Sequence, residues 1–112
     1  MAKDESRWNG GPFTFKVSDS LEVPLRGHLL RLRLSDGTPR MDDLKVGRKL
    51  RIVSPSGKER TVTILGHAAT GGRATQGRLQ TTRELDIVIP SAEAGAYDDR
   101  IGIGWRATGP VS

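Results

Sequence analysis

Arg31 and Arg33 stand two residues apart among Leu30, Leu32 and Leu34, and Lys49 and Arg51 stand two apart beside Leu50 and Ile52. In a strand, residues i and i+2 share a face, so each pair projects its cations away from the leucine side. If the two strands are neighbours, these four groups, with Arg48 beside them, form a ladder of positive charge that can track phosphates. The same side chains could instead pair with acids across strands or simply be solvated. Both readings are open at this point. Between Arg26 and Arg60 ten Lys/Arg stand against four acids, a local excess of +6 in a chain of net charge +5. Such a patch attracts phosphate backbones and other anions. A solvated exterior gives the same counts in a chain where 13 of the 18 basic residues are Arg.

Little else has the spacing that a reaction requires. There is no cysteine, which excludes disulfides, thiolate metal sites and a Cys nucleophile. His28 and His67 are the only histidines, and with Asp36, Asp42, Asp43 and Asp86 they show no metal-ligand spacing. The adjacent acids Asp42-Asp43 and Asp98-Asp99 would point to opposite faces of a strand and suit turns better than acid–base work. Ser56-Gly57-Lys58 is followed by Glu59 and lacks the first glycine of a phosphate loop, so a hairpin explains it better. No serine sits in G-x-S-x-G. No catalytic residue, metal or cofactor is expected.

The aromatic residues are Trp8, Phe13, Phe15, Tyr97 and Trp105, none of them within the basic stretch, so base stacking is not indicated there. Trp105 is expected to plug one end of the core; an exposed Trp105 beside Arg106 would instead offer a platform for a ligand or base. The segment 66–77, with Thr70, Arg73 and Thr75, reads as an exposed loop that could order on a partner or merely connect.

These side chains must be positioned by short strands. Phe13 to Val17 alternates apolar and polar, and Asp19 to Pro24 reads as a connection. His28 to Leu34 is the clearest strand. Ser35 to Pro39 is a turn cluster, and Arg40 to Leu44 returns to a corner at Gly47. Lys49 to Val53 and Glu59 to Leu65 flank a hairpin at Ser54-Pro55-Ser56-Gly57. Arg78 to Thr82 is expected as a short strand and Glu84 to Ile89 as a longer one. Ser91 to Tyr97 could make a helical turn, and Ile101 to Trp105 reads as the closing strand. Six or seven short strands with turn signals between them predict an all-β fold, a small closed or partly open antiparallel barrel. Residues 1–11 read as a flexible arm, 12–109 as one barrel domain and 110–112 as a tail.

At 112 residues, 35% hydrophobic, with 14 Gly and 6 Pro, one thin core is expected. No apolar run reaches ~18 residues and the start of the chain has no apolar leader segment, so a cytoplasmic protein without membrane contact is expected.

The order of pieces resembles domain II of translational GTPases of the elongation factor Tu type. The likeness is carried by Val23-Pro24-Leu25-Arg26-Gly27, Leu30 to Leu34 and Gly37. It continues through the corner Leu44-Lys45-Val46-Gly47-Arg48-Lys49-Leu50-Arg51-Ile52, then Thr61-Val62-Thr63-Ile64, Leu85 to Ile89 and Asp98 to Gly104. It covers about residues 13–109, with the Gly47 corner its most specific part. Thr38 to Asp43 departs from it as an insertion, and Arg48-Lys49 is basic where the family more often has an acid. The resemblance implies a barrel without the GTPase motor.

The expected function is a non-enzymatic binding module that contacts RNA or a ribonucleoprotein through Arg31, Arg33, Arg48, Lys49 and Arg51. The alternative is a protein-interaction or adaptor domain using an apolar face or the 66–77 loop. The oligomeric state is not legible.

Overall fold

The computed structural model describes residues 8, 10–68, 75–96 and 99–111. Seven strands make one sheet: β1 (Phe13–Val23), β2 (Gly27–Asp36), β3 (Lys49–Val53), β4 (Glu59–Thr63), β5 (Gly66–His67), β6 (Glu84–Ile89) and β7 (Arg106–Gly109). Their order across the sheet is β4-β3-β7-β1-β2-β6-β5, with every neighbouring pair antiparallel. A 3-10 turn at Met41–Asp43 and two short helices, α1 (Gln76–Thr82) and α2 (Ser91–Ala94), complete the elements.

The alternation that marks the strands in the sequence also builds the core. Phe13, Phe15 and Val17 of β1, Leu30, Leu32 and Leu34 of β2, Leu50 and Ile52 of β3, Val62 of β4, Leu85, Ile87 and Ile89 of β6, and Ala107 of β7 are all buried together. Phe13 and Phe15 meet edge-on, their centroids 5.6 Å apart, an arrangement aromatic quadrupoles favour. One face of the sheet thus encloses the apolar core, and the other carries the charges.

The sheet's two edge strands, β4 and β5, are separated in the chain only by Ile64 and Leu65. Ile64 still belongs to the β3 side: its N–H donates to Arg48 O at 2.9 Å, and Gly47 N–H donates to Ile64 O at 2.8 Å. Leu65 N–H already donates to Val88 O on the β6 side at 2.7 Å. One segment therefore passes from one edge to the other. No ladder joins β4 to β5, so the structure shows a curled seven-stranded sheet rather than the closed ladder of a barrel. Gly47 makes the corner possible, because its φ of +95° is a conformation that side chains resist.

Several expected elements are corrected. β1 does not stop at Val17. Residues 19–23 pair with residues 27–31 across a bulge between Val17 and Asp19, and strand pairing there outweighs an unhelpful polarity pattern. Arg78 to Thr82 is not a strand but the body of α1. Thr75 caps that helix by accepting the Arg78 N–H at 3.1 Å, Leu79 is buried under it, and Arg83 ends it at φ +59°. Ile101 to Trp105 is not the closing strand either. Gly104 turns at φ +93° and leaves Ile103 exposed, so the last strand of the sheet is β7, a stretch not expected as a strand. Gly66–His67, expected as loop, pairs with β6. Residues 69–74 of that loop, and Tyr97 and Asp98, lie outside the described residues.

Near the start of the chain, Trp8 packs against the core and Gly10 N–H donates to Thr38 O at 3.0 Å.

Candidate nucleic-acid interface

The five cations singled out by spacing do not form one ladder. β2, which carries Arg31 and Arg33, is separated from β3, which carries Lys49 and Arg51, by β1 and β7. Four of the five also face carboxylates. Arg31 holds Asp86 through Nε at 3.0 Å and Nη2 at 3.1 Å. That bidentate bond and the Asp86 charge raise the Arg31 pKa above its ordinary value. Arg33 meets Glu84 at 3.3 Å, Arg51 meets Glu59 at 3.6 Å and Arg48 reaches Asp42 at 3.7 Å. Asp42 also accepts from Lys45 at 3.2 Å, and this bond, then the Lys45 charge, lowers its pKa. Among the described residues, Lys49 Nζ donates to Thr63 Oγ1, at 3.4 Å, and meets no carboxylate. The excess read between Arg26 and Arg60 is partly neutralised by Glu84 and Asp86, acids far along the chain that the fold lays beside it.

The strands between β2 and β3 supply what spacing did not show. Lys16 of β1 lies opposite Arg33 of β2 on one side and opposite Arg106 of β7 on the other. Lys16, Arg33 and Arg106 are all exposed, each next to a buried residue: Phe15 and Val17, Leu32 and Leu34, and Ala107. Three like charges therefore stand abreast on three adjacent strands, at the ~4.8 Å strand spacing. Among the described residues neither Lys16 nor Arg106 makes an ion pair. Like charges directly opposite destabilise a sheet by a fraction of a kcal/mol per pair, so this row costs the fold something.

Next to it runs a row of mixed character. Asp36 of β2 lies opposite Thr14, Thr14 pairs with Thr108, Thr108 with Arg51, and Arg51 with Thr61. The Thr108 hydroxyl reaches only Arg51 O, at 3.5 Å. Arg51 joins the two rows diagonally, because Val53, its neighbour two residues on, lies opposite Arg106.

Lys16 was legible as an outward position of the first strand, and its importance was not, because nothing local says that β7 lies beside β1. In the sequence Arg106 stands out only as the neighbour of Trp105.

The other candidates resolve as structural groups. Trp105 packs against the core, with the Arg60 guanidinium 5.2 Å from its ring centre. Arg60 is held there by Asp99, through the carbonyl at 2.7 Å and Oδ2 at 2.9 Å. Trp105 is thus half-buried against the core rather than a free platform. His67 Nε2 bonds Leu44 O at 2.8 Å. His28 is buried, its Nε2 2.6 Å from Ser20 Oγ, which itself donates to Ile101 O at 2.7 Å. The hydroxyl proton being used, Nε2–H donates and Nδ1 is left as a buried acceptor without a partner. Burial, then the nearby Arg100, lowers the His28 pKa against an opposing pull from Glu22. The histidines and acids do not gather: among the described residues no three such groups could hold a metal ion. The Ser56-Gly57-Lys58 turn is closed on itself, Ser54 Oγ accepting the Lys58 N–H at 2.9 Å and Ser54 O accepting the Gly57 N–H at 2.9 Å.

No protein-family model matches this chain. No curated protein sequence matches it significantly either. Among the described residues no helix is long and apolar enough to cross a membrane.

Proposed function

We propose that this chain is a non-enzymatic binding module that contacts RNA or a ribonucleoprotein through the outer face of its sheet. The observation that carries the reading is the row Arg33–Lys16–Arg106, three exposed cations on adjacent strands. Two of the three lack an ion-pair partner among the described residues. A fold that needed only solubility has no use for adjacent like charges, whereas a polyanion gains from them by releasing counterions. Arg51, Arg48 and Lys49 extend the field toward β3, and Arg31 contributes least because Asp86 occupies it.

In this reading the curled sheet is a barrel of the kind found in domain II of translational GTPases, working in the cytoplasm. The support is the sequence resemblance around Gly47 together with the passage of one segment from edge to edge of the sheet.

The test is fluorescence anisotropy with a mixed RNA pool at ~50 and ~200 mM salt. Binding should fall steeply with salt and should be lost in the double variant Lys16→Glu, Arg106→Glu. Equal binding by that variant would remove the face from the reading. An absence of binding by the native chain at ~50 mM would end it.

A second reading, docking to a protein, is favoured by one observation. Leu25, at the tip of the β1–β2 hairpin, is fully exposed and sits at φ +66°, a conformation costly for a leucine. Binding that resists salt and is lost in Leu25→Gly would favour that reading instead.

A further inference from the structure

We infer that the outer face recognises the backbone of an RNA duplex, its cation row meeting phosphates and its threonine row meeting ribose 2′-hydroxyls. This deepens, and rests on, the RNA-binding reading above.

Three features lead there. The first is the absence of a stacking platform. Among the described aromatic residues, Phe13 and Phe15 are buried, and Trp8 and Trp105 pack against the core beneath Arg83 and Arg60. None is offered on the outer face. Single-stranded RNA gains ~1–3 kcal/mol per base from stacking on exposed rings, beside the attraction of a basic groove, and no described aromatic residue on this face supplies that energy.

The second is curvature. The face is the outside of a sheet curled around one core, so it is convex. A-form RNA presents a wide, shallow minor groove bordered by phosphates and lined with 2′-hydroxyls. A convex surface can lie against that groove, whereas the deep, narrow major groove excludes it.

The third is the pairing of the two rows. Lys16 and Arg106 are directly opposite one another, and Thr14 and Thr108 are directly opposite one another two residues along. Cations and hydroxyls thus run side by side, as phosphates and 2′-hydroxyls do along a duplex strand. A threonine hydroxyl both donates and accepts, which suits a 2′-hydroxyl that does the same. The Thr14 hydroxyl makes no hydrogen bond among the described residues, and the Thr108 hydroxyl has only its long contact to Arg51 O. Contacts to phosphate and sugar carry no sequence information, so recognition through these two rows is independent of sequence.

The experiment compares one sequence in three forms, an RNA duplex, its single strand and the matching DNA duplex, with the native protein and two double variants. The native protein should bind the RNA duplex tightest. Thr14→Val with Thr108→Val should bring its affinity toward that for DNA, by roughly 5-fold for each hydroxyl removed, and leave the salt slope alone. Lys16→Gln with Arg106→Gln should weaken RNA and DNA duplexes alike and reduce the salt slope by about 1.8. Circular dichroism melts establish that both variants fold. Single-stranded RNA binding as tightly as the duplex, or an RNA preference that survives removal of both hydroxyls, would overturn the inference while leaving the RNA-binding reading in place. If no form of nucleic acid binds at ~50 mM salt, that reading fails and the inference with it.

Discussion

The two halves of the outer face carry the same residue types to opposite ends. On the β2–β6 side, Arg31 and Arg33 lie opposite Asp86 and Glu84 and are held by them. On the β1–β7 side, Lys16 and Arg106 lie opposite one another and neither has an acid among the described residues. The first half resembles ordinary sheet electrostatics, in which opposite charges across strands contribute a few tenths of a kcal/mol or more. The second half gives that up. A basic run in a sequence therefore does not locate a basic surface, because each cation's charge is neutralised or free according to the strand beside it.

The contrast can be broken most severely at its free half. Reversing Lys16 and Arg106 to Glu should reduce RNA affinity more than about tenfold at ~50 mM salt, whereas Arg31→Gln should reduce it by less than half as much on a logarithmic scale. Anisotropy titrations measure both, and equal losses would mean that the two halves are equivalent.

A smaller effect comes from freeing a cation on the paired half. Asp86→Asn removes the carboxylate from Arg31 and should tighten RNA binding a few-fold. Because Arg31 is substantially exposed, the cost in stability should be no more than ~1 kcal/mol. Denaturant unfolding and anisotropy check the two effects on one sample. Tighter binding should not appear if the face plays no part.

Beneath the paired half, His28 gives a pH dependence. Its folded pKa is depressed, so its neutral form is favoured by the fold and full stability holds above the unfolded value of about 6.5. As pH falls below that value the unfolded chain takes up the proton first, and stability declines until the lowered folded pKa is passed. Unfolding midpoints measured from pH 7.5 to 5 should fall with pH, and His28→Gln should flatten the slope. A flat native profile would show that the buried imidazole is not held neutral.

The smallest effect is on the free half itself. Lys16→Gln removes a like-charge neighbour from both Arg33 and Arg106 and should stabilise the fold by a few tenths of a kcal/mol, read as a small rise in the denaturation midpoint. A drop in stability would argue that the Lys16 stem packs on the sheet more than its charge repels.

Much of the fold was legible because burial is periodic. Leu30, Leu32 and Leu34 announced β2; Leu50 and Ile52 announced β3; Leu85, Ile87 and Ile89 announced β6. Gly47 announced the corner. The failures fell where local signals were weak or divided. Residues 78–82 lack an alternation strong enough to separate strand from helix, and the Thr75 cap and the burial of Leu79 decided for helix. Ile101 and Ile103 alternate with glycine, yet Gly104 turns the chain and only Ile101 is buried. Residues 19–23 carry little apolar pattern, and their pairing with β2 made them strand.

That strands form, which side of each is apolar, and that the chain carries an excess of positive charge without cysteine all follow from the order of residues. Those properties are local: each follows from a residue's own side chain and its neighbours at i±2. Only the tertiary structure decided which strands lie side by side. It separated Arg33 from Arg51, gave Arg31 to Asp86 across 55 positions of the chain and set Lys16 against Arg106. Coulomb interaction depends on distance in space, and register across a sheet fixes that distance without reference to order along the chain.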